Sequence, residues 1–419
     1  MDGSQLGGEI TGFRVPPGAG MGSGRRPRVF LYSHDTYGLG HLRRNLAIAE
    51  ELLDRDGAFD VWLLTGSPVI RSWDLPAGLH VQPLPPVVKL AAGSYGARAG
   101  EEHFGLLKGY REALILKTVL RERPDIFIVD HAPAGMKGEL LSTLALIRRE
   151  LPETRMVLGL RDILDEAETV RALWREEETY DLLARAYHHV LVYGCQALFD
   201  VAQTYAMPPA LAARVRYTGY VARPAAPAAP MPPAQRPHVL VTAGGGGDGF
   251  EMMQAFIAAL ALLPRGCCDA TLLTGPLMPA EQYAALENAS AGLPNIAMVR
   301  YSTDISGLMG TATLVVSMGG YNTSVEILAA RKPAIIVPRT TPRLEQKLRA
   351  DMLARHGVVW TADPGPGLAQ RLADLLPAAL SGAYERTPDW SAIDLNGARR
   401  VGDLVEELAF AMPRPEVLA

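Results

Sequence analysis

Apolar positions along the chain fall into two alternating patterns. Short β-branched or aliphatic runs, closed by Gly, Pro or Asp, are followed by longer segments in which apolar residues recur at helical spacing. Runs of that length predict buried strands, and the strand–helix alternation predicts βαβ units in parallel sheets. In the first half, strands are predicted at 28–33, 61–65, 125–129, 155–160 and 190–193. In the second half they are predicted at 238–242, 270–274, 296–300, 313–316 and 334–337. Leu42, Leu46, Ala49 and Leu53 form one apolar stripe, which predicts a helix directly after the first strand. The fold class is therefore α/β, with two doubly wound domains.

The pattern breaks in two places. Residues 1–26 are rich in Gly and Ser, without periodicity or the apolar core of a signal peptide, and are expected to be a disordered leader. Residues 222–237 read ARPAAPAAPMPPAQRP, in which repeated Pro sustains neither a helix nor a central strand, so a linker is expected. This gives an N-terminal domain over 27–221 and a C-terminal domain over 238–393. Residues 394–419 have helical period and are expected to cross back onto the first domain.

Composition narrows the class. Lys+Arg 41 against Asp+Glu 45 is near balance, which gives no global electrostatic reason to expect nucleic-acid binding. Three cysteines without metal-ligand spacing argue against a disulfide framework or a structural zinc, and the cytoplasm is the expected compartment. No apolar stretch reaches the roughly 18 residues of a membrane span.

In doubly wound sheets, ligands bind beyond the carboxyl ends of the strands, so the loops there are the candidates for chemistry. The first strand runs into HDTYGLGHLRR, where Gly38 and Gly40 let backbone N–H groups approach an anion at a helix start. A tight turn with no ligand fits the same pattern. His41 adds an imidazole able to exchange a proton near neutral pH, although a capping histidine also fits. The second domain opens likewise, its first strand leading into Gly244, Gly245, Gly246 and Gly247. A GxGxxG at Gly244, Gly246 and Gly249 raises a dinucleotide reading. The next strand ends in Thr274-Gly275-Pro276, without the carboxylate such a site uses on the ribose.

The segment SMGGYNTSVEILAA is the most informative. Ser317, Gly319, Gly320, Asn322 and Thr323 crowd a strand-to-helix turn, a second anion site, and Glu326 follows where a carboxylate can accept from a ribose diol. Thr323-x-x-Glu326 is equally the pattern of a capping box.

SMGGYNTSVEILAARKPAIIVPR, with Glu345-Gln346 and the segment 349–357, resembles the donor-binding half of the MurG-like glycosyltransferases of family 28, and GLGHLRRNLAIAEEL is similar to the acceptor loop of that superfamily. The resemblance implies the GT-B fold, two Rossmann-like domains facing across a cleft. It implies a UDP-sugar as co-substrate, with no cofactor and no required metal. Glu326 would hold the ribose, Gly244–Gly247 would face the diphosphate, and Asn322 and Thr323 would lie at the helix start. Backbone near Ile305 would clasp the base, and Glu345 and Gln346 would read sugar hydroxyls, although an exposed helical face also fits that pair. The first loop differs from the GGTGGH type of peptidoglycan enzymes and is also similar to that of a hydrolase that removes UDP from a diacetamido sugar.

The resemblance implies inverting transfer of a sugar, N-acetylglucosamine, to a hydroxyl acceptor of unknown identity, lipid-linked or a glycan precursor. Hydrolysis or epimerisation at the same site, or nucleotide-sugar binding without turnover, are the alternatives. His41 is the first candidate for the general base, with Asp130, His131 and Asp162 at neighbouring strand ends as bases or orienting groups. Asp162 beside Arg161 also fits a structural ion pair. Lys89, Arg98, Lys108, Arg111 and Lys117 lie among apolar residues, a pattern that fits either a solvated amphipathic helix or a peripheral contact with the inner face of a membrane.

Overall fold

The computed structural model describes residues 25–35, 40–91, 94–96, 104–223, 236–302, 304–384 and 387–410. Gly38, the leader up to 24 and most of the expected linker lie outside the described residues.

Two parallel sheets carry the molecule. The first is built from β1 (Arg28–Ser33), β2 (Asp60–Thr65), β3 (His80–Pro83), β6 (Ile126–Asp130), β7 (Arg155–Arg161), β8 (His189–Tyr193) and β9 (Val215–Tyr217). A hairpin of β4 (Val88–Ala91) and β5 (Ser94–Gly96) stands apart. The second sheet comprises β10 (His238–Thr242), β11 (Asp269–Leu273), β12 (Ile296–Val299), β13 (Leu314–Ser317), β14 (Ala334–Ile336) and β15 (Trp360–Thr361). The orders are β3-β2-β1-β6-β7-β8-β9 and β12-β11-β10-β13-β14-β15. Each order reverses direction once, between β1 and β6 and between β10 and β13, where two crossovers leave in opposite directions and open a crevice at the carboxyl ends of the strands. Register places Tyr32 beside Val129 at the first crevice and Thr242 beside Ser317 at the second.

Five helices position the site: α1 (Gly40–Leu53), α2 (Phe104–Glu122), α3 (Phe250–Ala261), α4 (Ile305–Thr311) and α5 (Tyr321–Ala330). Two more, α6 (Glu345–Arg355) and α7 (Gly397–Phe410), bind the halves together. In α1 the predicted stripe packs inward: Leu42, Leu46 and Ala49 are fully buried and Leu53 packs against the same core. α7 lies on α1, with Val401 and Val405 buried and Arg55 paired to Asp403 at 2.7 Å and Glu406 at 2.7 Å. The predicted crossing segment is thus seated on the first domain.

One apolar cluster runs from Val29 and Leu31 of the first sheet through Tyr193, Tyr220 and Tyr321 to Val315 and Ile336 of the second. Polar ties cross the same boundary. Tyr321 donates to the Tyr193 carbonyl at 2.7 Å, Leu344 N–H to Asp165 at 2.9 Å, and Arg349 pairs with Asp162 at 2.7 Å. The chain's two passages between the sheets adjoin each other: Val221 bridges Asn396, Tyr220 N–H donates to the Asp394 carbonyl at 2.7 Å, and Gly397 N–H donates to the Tyr220 carbonyl at 3.0 Å.

Candidate active site between the two crevices

β6 ends in Asp130, and α1 begins opposite it, so the first crevice sets a carboxylate against the first turn of a helix. His41 Nδ1 lies 2.6 Å from Asp130 Oδ2. Arg44, one turn on from His41, donates to both oxygens of Asp130 at 2.7 and 2.8 Å. Burial alone would raise the Asp130 carboxyl, but Arg44 and His41 outweigh it and hold the group well below the usual carboxylate range. An ionised carboxylate only accepts, so Nδ1 carries the imidazole proton and Nε2 is left with its lone pair free to take one. Arg44 is itself buried between the rings of Tyr193 and Tyr321, each centroid 5.3 Å from its guanidinium carbon.

Two further imidazoles adjoin His41. The ring centroids of His34 and His131 lie 5.6 and 5.3 Å from that of His41. His131 turns the chain off β6 with φ 67°, a left-handed conformation in which His is several-fold enriched among non-glycine residues. Burial, then the neighbouring charge of His41, lowers His34 to about 3, and burial followed by Arg161 and His41 takes His131 well down too. Both are neutral in the fold. Below pH 6.5 the unfolded chain takes up a proton that folded His34 refuses until about pH 3, so this contribution destabilises the fold as pH falls across that window. Each such imidazole removes about 1.4 kcal/mol per pH unit. Denaturation profiles from pH 7 to 4 should show this loss, and His34→Asn should make it shallower; an unchanged slope would mean that His34 titrates normally.

The candidate base Asp162 has another commitment. Arg349 donates to its oxygens at 2.7 and 3.0 Å, and the Tyr220 hydroxyl donates at 3.3 Å. The pairing with neighbouring Arg161 that the sequence suggested is replaced by one with Arg349, 187 positions away. Asp162 therefore joins the domains instead of standing free to move a proton.

In the second crevice, β10 leads into the glycine loop and β13 into α5. Gly246 has φ 91°, and a Cβ there would collide with the Thr274 carbonyl; Gly275 likewise packs on the Gly244 carbonyl, where a Cβ would come to 2.6 Å. These two glycines let adjoining loops pack backbone to backbone. Gly244 faces Thr323, whose Oγ1 would lie 3.9 Å from a Cβ there; Gly245 and Gly247 complete the loop. Ser317 is buried at the end of β13 and its Oγ accepts from Gly319 N–H at 3.4 Å. Gly319 has φ 74°.

The N-cap of α5 is Gly320, without a side-chain cap, so Thr323 lies inside the helix. The capping box allowed by Thr323-x-x-Glu326 is not formed, and Glu326 is released from that local duty. It is met instead by Arg43, whose Nη1 donates to Glu326 Oε1 at 3.1 Å across the cleft. Burial raises the Glu326 carboxyl, with Arg43 and Arg223 acting against it. The starts of α1 and α5 face each other, because a Cβ on Gly40 would strike the Asn322 side chain. A cavity beside them is lined by Arg43, Arg223, Ile305, Asn322 and Glu326, among others. Ile305 opens α4, capped by Asp304, whose carboxylate accepts from Gly307 N–H at 2.7 Å.

Glu345 and Gln346 are buried, not on an exposed helical face. Glu345 pairs with Arg161 at 3.2 Å, and Gln346 Oε1 accepts from Arg339 N–H at 3.0 Å. The sequence reading missed Arg43, Arg44, Arg161 and Arg349 as members of this region. Arg44 carried the one usable signal, since it lies one helical turn from His41 and so on the same face. Among the described residues, no group of three or more His, Cys, Asp or Glu is placed to hold a metal.

Comparison with known proteins bears on both halves. The description "Glycosyltransferase family 28 C-terminal domain" matches residues 238–380, the whole of the second sheet. The match to that family description is thus confined to the C-terminal part of the chain. Two relatives bear the name UDP-N-acetylglucosamine–N-acetylmuramyl-(pentapeptide) pyrophosphoryl-undecaprenol N-acetylglucosamine transferase. That from Acidiphilium cryptum is 31% identical over 152 residues, covering 36% of this chain and 40% of its own. That from Methylorubrum extorquens is 30% identical over 217 residues, covering 49% and 58%. The chain thus spans about half the length of the curated relatives it matches. Acinetobacter baumannii MurG superposes with a TM-score of 0.58 over 91% of this chain and all of its own, at 16% identity. A putative UDP-N-acetylglucosamine 2-epimerase from Listeria monocytogenes gives 0.61 over 94% and 100%, at 14% identity. The architecture is the GT-B fold, which glycosyltransferases share with an enzyme of different name, so the fold alone does not assign a reaction.

Proposed function

We propose that the chain is an inverting, metal-independent glycosyltransferase that moves a sugar, N-acetylglucosamine by analogy with the relatives' names, from a UDP-sugar to a hydroxyl acceptor. The observation that carries this is the pair His41–Asp130 on one wall of the cleft, facing the α5 start and Glu326 on the other. In this reading Glu326 accepts from the ribose, Ile305 lies by the base, and the diphosphate meets the amides of the glycine loop and the α5 start. His41 Nε2 takes the acceptor's proton as its oxygen bonds to the anomeric carbon. The bond from that carbon to the diphosphate oxygen breaks, its electrons leave with UDP, and the amides aimed there stabilise the new charge. The bound donor and acceptor supply every atom of the step, so no cofactor enters.

UDP release from UDP-N-acetylglucosamine tests the reading. Release that requires added acceptor supports transfer, release in water alone supports the hydrolase alternative, and binding without release supports a sugar-nucleotide receptor. Glu326→Gln should weaken UDP binding by about tenfold or more, the loss expected for hydrogen bonds to a charged group. Unchanged UDP affinity in that variant would remove Glu326 from the ribose role.

The acceptor is proposed to be lipid-linked, with the enzyme working from the cytoplasm at the membrane's inner face. Support comes from α2, where Leu106 is 77% and Tyr110 62% exposed one turn apart. The predicted basic patch is thinner than its sequence: Arg111 is buried on Glu139 at 2.6 Å and Lys108 pairs with Glu112 at 2.8 Å. No described helix is long and apolar enough to cross a membrane. Leu106→Ser/Tyr110→Ser should abolish flotation with anionic vesicles; flotation equal to that of the unaltered protein would discard this surface.

A further inference from the structure

The cleft holds a cation, Arg43, that is tied to Glu326 and lies with its guanidinium carbon 5.8 Å from the Trp73 ring centroid. Arg44 is committed to Asp130, and Arg223 pairs with Glu50 at 3.1 Å. Arg43 is the one of the three whose guanidinium contacts Glu326, the carboxylate assigned above to the ribose. A diol that engages both carboxylate oxygens competes with it, because its Nη1 already donates to Oε1 at 3.1 Å and both partners draw on the same carboxylate. The displaced guanidinium has one short path. Arg43 is in the first turn of α1, whose start touches Asn322, and Asn322 precedes Glu326 by four positions on one face of α5. That is a single helical turn, about 5.4 Å along the axis and within the swing of an arginine side chain. At the far end of that path lies the helix start to which the diphosphate was assigned.

We propose that Arg43 is a switch residue that leaves Glu326 when the ribose arrives and pairs with the diphosphate of the leaving nucleotide. This rests on the reading of Glu326 given above and extends it. Without a donor, Arg43 neutralises a half-buried carboxylate; with one bound, it places a positive charge where the broken bond leaves its electrons. The front domain thereby contributes directly to donor recognition. A nucleoside, which has the ribose but no phosphate, gains nothing from the second position of Arg43 and still competes with it at the first.

Calorimetry with uridine and with UDP separates these effects. In Arg43→Gln, uridine should bind up to about fivefold more tightly, because a competing ion pair is gone. The preference for UDP over uridine should fall by about tenfold or more, because a charge-assisted contact to phosphate is lost. Arg43→Lys retains a cation and should keep more of that preference. Arg43 is partly exposed, and melting curves of both variants establish that they fold. A UDP-to-uridine ratio equal to that of the unaltered protein in both variants overturns the switch while leaving Glu326 in place. If the unaltered protein binds no UDP, or if Glu326→Gln added to Arg43→Gln leaves uridine affinity unchanged, the ribose assignment itself has failed and the switch falls with it.

Discussion

Replacing His41 by alanine is expected to lower kcat by about 10²–10⁴-fold, the range over which a positioned general base contributes, while UDP affinity stays within about twofold. The expectation follows from what Asp130 does on each side of the ring. Its ionised oxygens fix the proton on Nδ1, at 2.6 Å, and leave Nε2 as the proton acceptor. They also stabilise the imidazolium that forms once the acceptor's proton has moved. His41 touches no residue assigned to the nucleotide through a hydrogen bond described above, so its removal should spare donor binding. His41→Ala is a cleaner test than Asp130→Asn, which would leave Arg44 buried opposite a weakened partner. Equal losses in kcat and UDP affinity, or full activity in the variant, would take the base role away from this histidine.

The largest stability effect is expected at Asp162 and Arg349. Both side chains are within 2% of complete burial, and they come from different domains, Asp162 just after β7 and Arg349 on α6. Removing one partner of a buried pair leaves an uncompensated charge and costs about 3–5 kcal/mol. Asp162→Ala and Arg349→Met should each reach that range in denaturant unfolding, whereas the double variant should lose much less than their sum, because neither charge is then stranded. Additive losses would show that the residues act separately. A cost below about 1 kcal/mol in each single variant would mean that the pair does not hold the domains.

The central strands were legible because burial on both faces leaves unbroken apolar runs. Arg28–Ser33 and His238–Thr242 were read to the residue. Apart from the hairpin of β4 and β5, the strands that escaped notice, His80–Pro83, Val215–Tyr217 and Trp360–Thr361, end the parallel sheets, where one side is unpaired and the runs are short and mixed. The glycine turns and Glu326 were visible because strand, turn and helix start are local features. Arg43 and Glu326 are 283 positions apart, and Arg349 and Asp162 are 187 apart. Only the folded arrangement brings those charges together. A buried guanidinium also looks like a surface residue in sequence, which is why Arg349 carried no warning and Arg44 only its spacing from His41.

The two passages of chain between the sheets are stitched together at Tyr220–Val221 and Asp394–Gly397. Two connections fastened to each other fix the relative placement of the sheets more tightly than a single crossing would, because neither can shift without giving up backbone hydrogen bonds to the other.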